Sequence, residues 1–128
     1  MIAVGAPASA ADFSRSDYID FTARKKLPAP VKEGPLAAVA QYLATMPYLD
    51  RRRFAIEVLL DRKDRRVFRV KHVCTSAEAC GDDSVAASRE ALDLRRGKGG
   101  RWTIIWVGLQ VRCHKGRGHQ AWSKAPCT

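Results

Sequence analysis

Residues 111–128 read VRCHKGRGHQAWSKAPCT and hold two cysteines, two histidines, one tryptophan and four cations, with no acid. Four kinds of chemistry use such residues. Cys113, Cys127, His114 and His119, with Cys74 and Cys80 upstream, are ligand types for zinc. His114 and His119, and His72 before them, could act as general acid and base while Arg112, Lys115 or Arg117 stabilises a phosphorane-like transition state. A small basic ribonuclease or toxin domain needs that set of groups. The glycines of KGRGH could let a phosphate approach the main chain. Finally, Arg112, Lys115, Arg117, His119 and Lys124 could hold a polyanion, with Trp102, Trp106 and Trp122 stacking bases or sugars beside them.

Spacing sorts these readings. Structural zinc sites usually separate paired cysteines by roughly two to four residues. Cys74 and Cys80 are further apart than that, and Cys113 and His114 are adjacent, which is awkward for two ligands of one ion. No metal site and no cofactor is expected. The histidines are suggested by composition and not by a catalytic spacing, so the chain reads as a binding protein before it reads as an enzyme.

Four cysteines in a small chain suit an oxidising compartment, where two disulfides would form with three connectivities to choose from. The local pairs, Cys74 with Cys80 and Cys113 with Cys127, are the first choice. Each short loop would contribute about 2–3 kcal/mol by the chain-entropy argument. Residues 1–10, MIAVGAPASA, are small and apolar and end in Ala8-Ser9-Ala10, the small-x-small form of a signal-peptidase site. They read as the remnant of a signal peptide or a disordered leader, ahead of one domain over 11–128. Cysteines and leader together predict an exported protein, periplasmic or secreted.

The formal net charge is +10, from 23 Lys and Arg against 13 Asp and Glu. Residues 95–128 carry Arg95, Arg96, Lys98, Arg101, Arg112, Lys115, Arg117 and Lys124 and no acid. Arginine outnumbers lysine, which favours bidentate contacts to phosphate or carboxylate. No apolar run reaches the roughly 18 residues of a membrane span. The expected partner is an anionic polymer or an acidic protein surface.

The elements that must position these groups follow from periodicity. Residues 11–34, with Pro28, Pro30 and Gly34, read as an extended arm with a short strand near Tyr18–Thr22. Pro35 suits a first helical turn. Leu36, Val39, Ala40, Leu43 and Met46 continue one helical face, and Pro47 stops it. Phe54, Ile56, Val58 and Leu60, then Phe68, Val70 and His72, alternate as a hairpin around DRKD. A helix capped by Asp82 or Asp83 runs through Leu94, with a strand at Leu92–Arg96 as the competing assignment. RRGKGGR is a turn. In RWTIIWVGLQVRC a strand places Ile105, Val107, Leu109, Val111 and Cys113 on the core face. Trp102, Ile104, Trp106, Gly108, Gln110 and Arg112 fall on the other. HQAWSKAPC returns as an edge strand.

The expected fold is therefore α+β: an antiparallel sheet of about four or five strands with one or two helices packed on one face, stapled by disulfides. The expected function is that of a small exported basic domain, non-catalytic, binding an anionic envelope component or partner through a C-terminal Arg/Lys-rich hairpin. Two alternatives stand beside it. One is a ribonuclease-like or toxin domain using His114 and His119. The other is a sheet-face pocket for a small ligand, lined by Trp102 and Trp106.

Overall fold

The computed structural model describes residues 3–4, 13–46, 54–73 and 83–128. Its centre is a four-strand antiparallel meander. β3 (Phe54–Arg62) and β4 (Arg65–Val73) form the expected hairpin. The polar break narrows to a turn at Lys63 and Asp64, because Asp61 and Arg62 stay in the ladder opposite Arg66 and Arg65. β5 (Val85–Arg96) and β6 (Trp102–Cys113) continue the meander. Between them the chain reverses through Gly99 and Gly100, both at φ 72°, where a side chain would be strained. Two short strands finish the edges: β1 (Ala3–Val4) runs parallel to β3, and β2 (Ile19–Asp20) antiparallel to β6. The order is β1-β3-β4-β5-β6-β2.

The single α-helix among the described residues, α1 (Pro35–Leu43), starts at Pro35 as the sequence predicts. Its buried residues are Ala38, Val39, Tyr42 and Leu43, while Leu36 is 48% exposed. The stripe is therefore turned from the expected one. A polar contact explains part of the turn: the Tyr42 hydroxyl donates to the buried Glu90 carboxylate on β5, so Tyr42 must face inward. These helix residues share one apolar cluster with Ile56, Phe68, Val70, Leu92, Leu94, Trp102, Ile104 and Val107.

Residues 85–94 are strand and not the expected helix. β5 is the central strand, and from Glu90 to Leu94 every residue is buried. A strand covered on both faces loses the polar–apolar alternation that marks strands in a sequence. The remaining SREALDLR looks helical by propensity, and tertiary burial overrides it.

β-Bulges rearrange the expected faces. In β6 the ladder passes from Asp93↔Trp106 to Leu94↔Ile104, leaving Ile105 as the extra residue. Two neighbouring residues on a bulge turn to the same side. Ile105, expected in the core, is 41% exposed, and Ile104 takes its place under the helix. Beyond the bulge, Trp106 is on the opposite face with Tyr18 and Ala91. A similar irregularity at Leu59 turns Leu60 onto that second face, where it joins Leu59, Val67 and Phe13.

The second face has its own cover, the arm from Phe13 to Tyr18. Arg15 of the arm and Arg65 of β4 both bind Asp93, which has no exposed surface. The arm then uses the outer edge of β6. Ile19 and Asp20 pair with Leu109 and Gly108, Phe21 N–H donates to Val107 O, and Val31 bridges Trp102. That occupancy explains why HQAWSKAPC is not the expected edge strand: it keeps one bridge, Val111↔Ser123, and is otherwise irregular. The Cys113–Cys127 disulfide is present, with Cα atoms 5.5 Å apart. Cys74, Cys80, Asp82, Pro47 and most of the leader lie outside the described residues.

Candidate anion-binding surface

Two sets of cations are assembled around the C-terminal segment. The first is the loop 114–118, with His114, Lys115 and Arg117 exposed. The disulfide fixes its base, and Cys113 N–H donates to His119 O. Arg117 is braced: its Nε donates to Thr128 O and its Nη2 lies 3.6 Å from Asp83. Both ends of that pair are open to solvent, so it is worth little. Gly116 and Gly118 have φ of 82° and 129°, which the reversal requires.

His119 is used structurally. Nδ1 lies 2.8 Å from Ala121 O and Nε2 lies 2.7 Å from Ala125 O, so both ring nitrogens hold the returning chain. The same residues come together as a metal-like group, Cys113, His119 and Cys127. The two sulfurs are bonded to each other, so neither is a thiolate that could ligate. His72 is placed elsewhere, beside Ser88, with Nε2 3.2 Å from the hydroxyl.

Trp102 and Trp106 are packing residues: each is 6% exposed, and they belong to the two opposite core clusters. The bulge at Ile105 separates them, so the two rings do not share one face of the sheet. A groove of about 360 Å³ opens instead between the start of α1 and β3–β4, lined by Leu36, Val58, Arg66 and Phe68 among others.

The second set of cations lies on the strand face opposite α1. Lys71 on β4 stands directly across from Arg89 on β5, and Arg89 across from Gln110 on β6. Arg112 is two residues further along β6, and Arg69 two residues back along β4. Trp122, half-buried, ties the set together, with the Arg89 guanidinium 4.5 Å and the Arg112 guanidinium 4.7 Å from its ring centre. Arg89 Nε donates to Gln110 Oε1, and Gln110 Nε2 donates to Asp17 O, so the arm orients the guanidinium. Arg69 is neutralised by Glu57. Among the described residues no carboxylate lies within ion-pair distance of Lys71, Arg89 or Arg112. Burial and the neighbouring Arg69 charge bring the Arg89 guanidinium down to about 10, despite Tyr18 and Glu57. Lys124 Nζ donates to Ser16 O.

Arg112 and Trp122 were legible in the sequence as site types; Lys71, Arg69 and Arg89 were not singled out. The alternation Val67, Arg69, Lys71 against Phe68, Val70, His72 marks Arg69 and Lys71 as one face. Arg89 was hidden by the helical reading of β5. As a strand residue it sits between Ala87 and Ala91, whose small side chains leave room for a long side chain and an indole.

Comparison with protein-family models, with curated proteins and with solved structures found no match. Among the described residues no helix is long and apolar enough to cross a membrane.

Proposed function

We propose that this is a small exported, non-catalytic basic domain that binds an anionic polymer of the cell envelope through its C-terminal basic segment. One observation carries the reading. Residues 95–128 have eight cations and no acid, and β6, at 12 residues, separates their two turns by about 36 Å. Lys98 and Arg101 stand exposed at one end, Lys115 and Arg117 at the other. A compact anion reaches one of these turns; an extended polyanion reaches both. The disulfide supports export, since such bonds persist in oxidising compartments. The commitment of His119 to main-chain carbonyls favours binding over acid–base catalysis.

The test is the salt dependence of binding to heparin and to single-stranded oligonucleotides. Neutralising Arg112, Lys115 and Arg117 to Gln should weaken binding and reduce the log–log salt slope by about two to three units. A control carries Gln at Lys26, Lys32 and Lys63, which are exposed elsewhere. If the two triple variants bind alike, the segment is only solvated charge and the reading fails.

A further inference from the structure

We infer that Lys71, Arg89 and Arg112, arranged around Trp122, form a subsite for one phosphomonoester group, distinct from the solvated loop cations. Its place in the protein's biology rests on the anion-binding reading above, but its chemistry is local and can be tested alone.

The argument begins with register. Lys71 and Arg89 are direct cross-strand partners, so their Cα atoms are about 5 Å apart and their side chains leave the same face. Arg112 is paired with Ala87, which places it diagonally from Arg89, at about 7–8 Å between Cα atoms. Three long cationic side chains thus rise from a patch three strands wide. Like charges so close repel, and a half-buried guanidinium with unfilled donors and no counter-charge is costly. The fold nevertheless holds two of them over a single indole.

Orientation is fixed as well as position. The Arg89 Nε edge is taken by Gln110. Its Nη1 and Nη2, and the whole Arg112 guanidinium, have no protein acceptor among the described residues. The Trp122 ring stiffens both side chains, which reduces the entropy lost when they clamp a ligand. The ligand class follows from counting. A carboxylate offers one charge and two oxygens. A phosphomonoester offers up to two charges and three terminal oxygens, which matches three cations with several unused donors. Glu57, whose charge acts on Arg89, is engaged by Arg69 and does not compete.

The experiment titrates phenyl phosphate into the 128-residue chain, following the Trp122 indole N–H by NMR, assigned with Trp122→Phe. The expected result is saturable binding that moves this resonance. Lys71→Gln/Arg89→Gln should weaken it by roughly tenfold or more, while Lys115→Gln/Arg117→Gln leaves it within about twofold. Lys71→Gln alone, at an exposed position, keeps the test sharp if the double variant is unstable. Vesicles separate the sources of the group. Stronger binding to phosphatidic acid than to phosphatidylglycerol, reversed by Lys71→Gln/Arg89→Gln, assigns a lipid headgroup; soluble phosphate binding without that preference assigns a free monoester. The subsite is overturned if phenyl phosphate does not bind, or if both double variants bind it like the parent. Polyanion binding that still depends on Arg112, Lys115 and Arg117 would then leave the proposed function standing. Phosphate binding with polyanion affinity insensitive to that triple change would do the reverse.

Discussion

Arg15 Nη2 lies 2.7 Å from Asp93 Oδ2, joining the N-terminal arm to the centre of the sheet across 78 residues of sequence. Arg65 binds the same carboxylate from the neighbouring strand, with Nη2 at 2.8 Å. Burial alone would push the Asp93 carboxyl up, but the hydrogen bonds from Arg65 and Arg15 outweigh it and hold it below the usual carboxylate range. A depressed carboxyl stabilises the fold above the unfolded value, near pH 4, and that stability is lost as pH falls through the folded value. Asp93→Asn should cost about 2–3 kcal/mol at neutral pH, less than a fully buried pair because both arginines are partly solvated. Urea unfolding at stepwise lower pH should show the gap between parent and variant closing in acid. A constant gap would mean that Asp93 acts by shape and not by charge.

The Tyr42–Glu90 contact makes a prediction at the other end of the pH scale. Burial, and after it the Glu90 charge and hydrogen bond, push the Tyr42 hydroxyl far above its ordinary value. A raised folded value means stability that is present below about pH 10 and lost as pH rises above it. Tyr42 should ionise only when the protein unfolds, seen as an absorbance step coincident with loss of circular dichroism. Tyr42→Phe should cost about 1–3 kcal/mol, because among the described residues Glu90 keeps only Lys25, at 3.6 Å, as an ion-pair partner.

Gly108 is required by contact. A methyl group there would overlap the Trp106 ring and sit 2.7 Å from Tyr18 Cβ. Gly108→Ala should destabilise by about 1–3 kcal/mol through overpacking and should shift Trp106 fluorescence. An unchanged denaturation midpoint would show that the arm moves aside freely.

Removing the Cys113–Cys127 bond, which closes a 14-residue separation, should cost about 2–3 kcal/mol. The double serine variant should lose slow amide exchange in residues 114–128 first and retain it in β4 and β5. Protection lost equally throughout the sheet would mean that the bond supports the core and not the loop.

Much of the frame was legible locally. Pro35 starts the helix, alternation marks β3, β4 and β6, glycines mark the β5–β6 turn, and the spacing of Cys113 and Cys127 gives their bond. Each signal resides in a few consecutive residues, governed by sterics and by the two-residue or 3.6-residue period. The charge asymmetry of the last 34 residues is likewise a property of the chain as written.

Tertiary structure decided the rest. β5 is a strand because it is central and covered on both faces, which no local pattern records. Trp102 and Trp106 are divided between two cores because one extra residue, Ile105, enters the ladder; a bulge depends on the partner strand as much as on its own. The C-terminal segment is not an edge strand because the arm already occupies that edge. The cation cluster exists only after folding: Lys71, Arg89, Arg112 and Trp122 come from three strands and a loop, and registry alone brings their charges together.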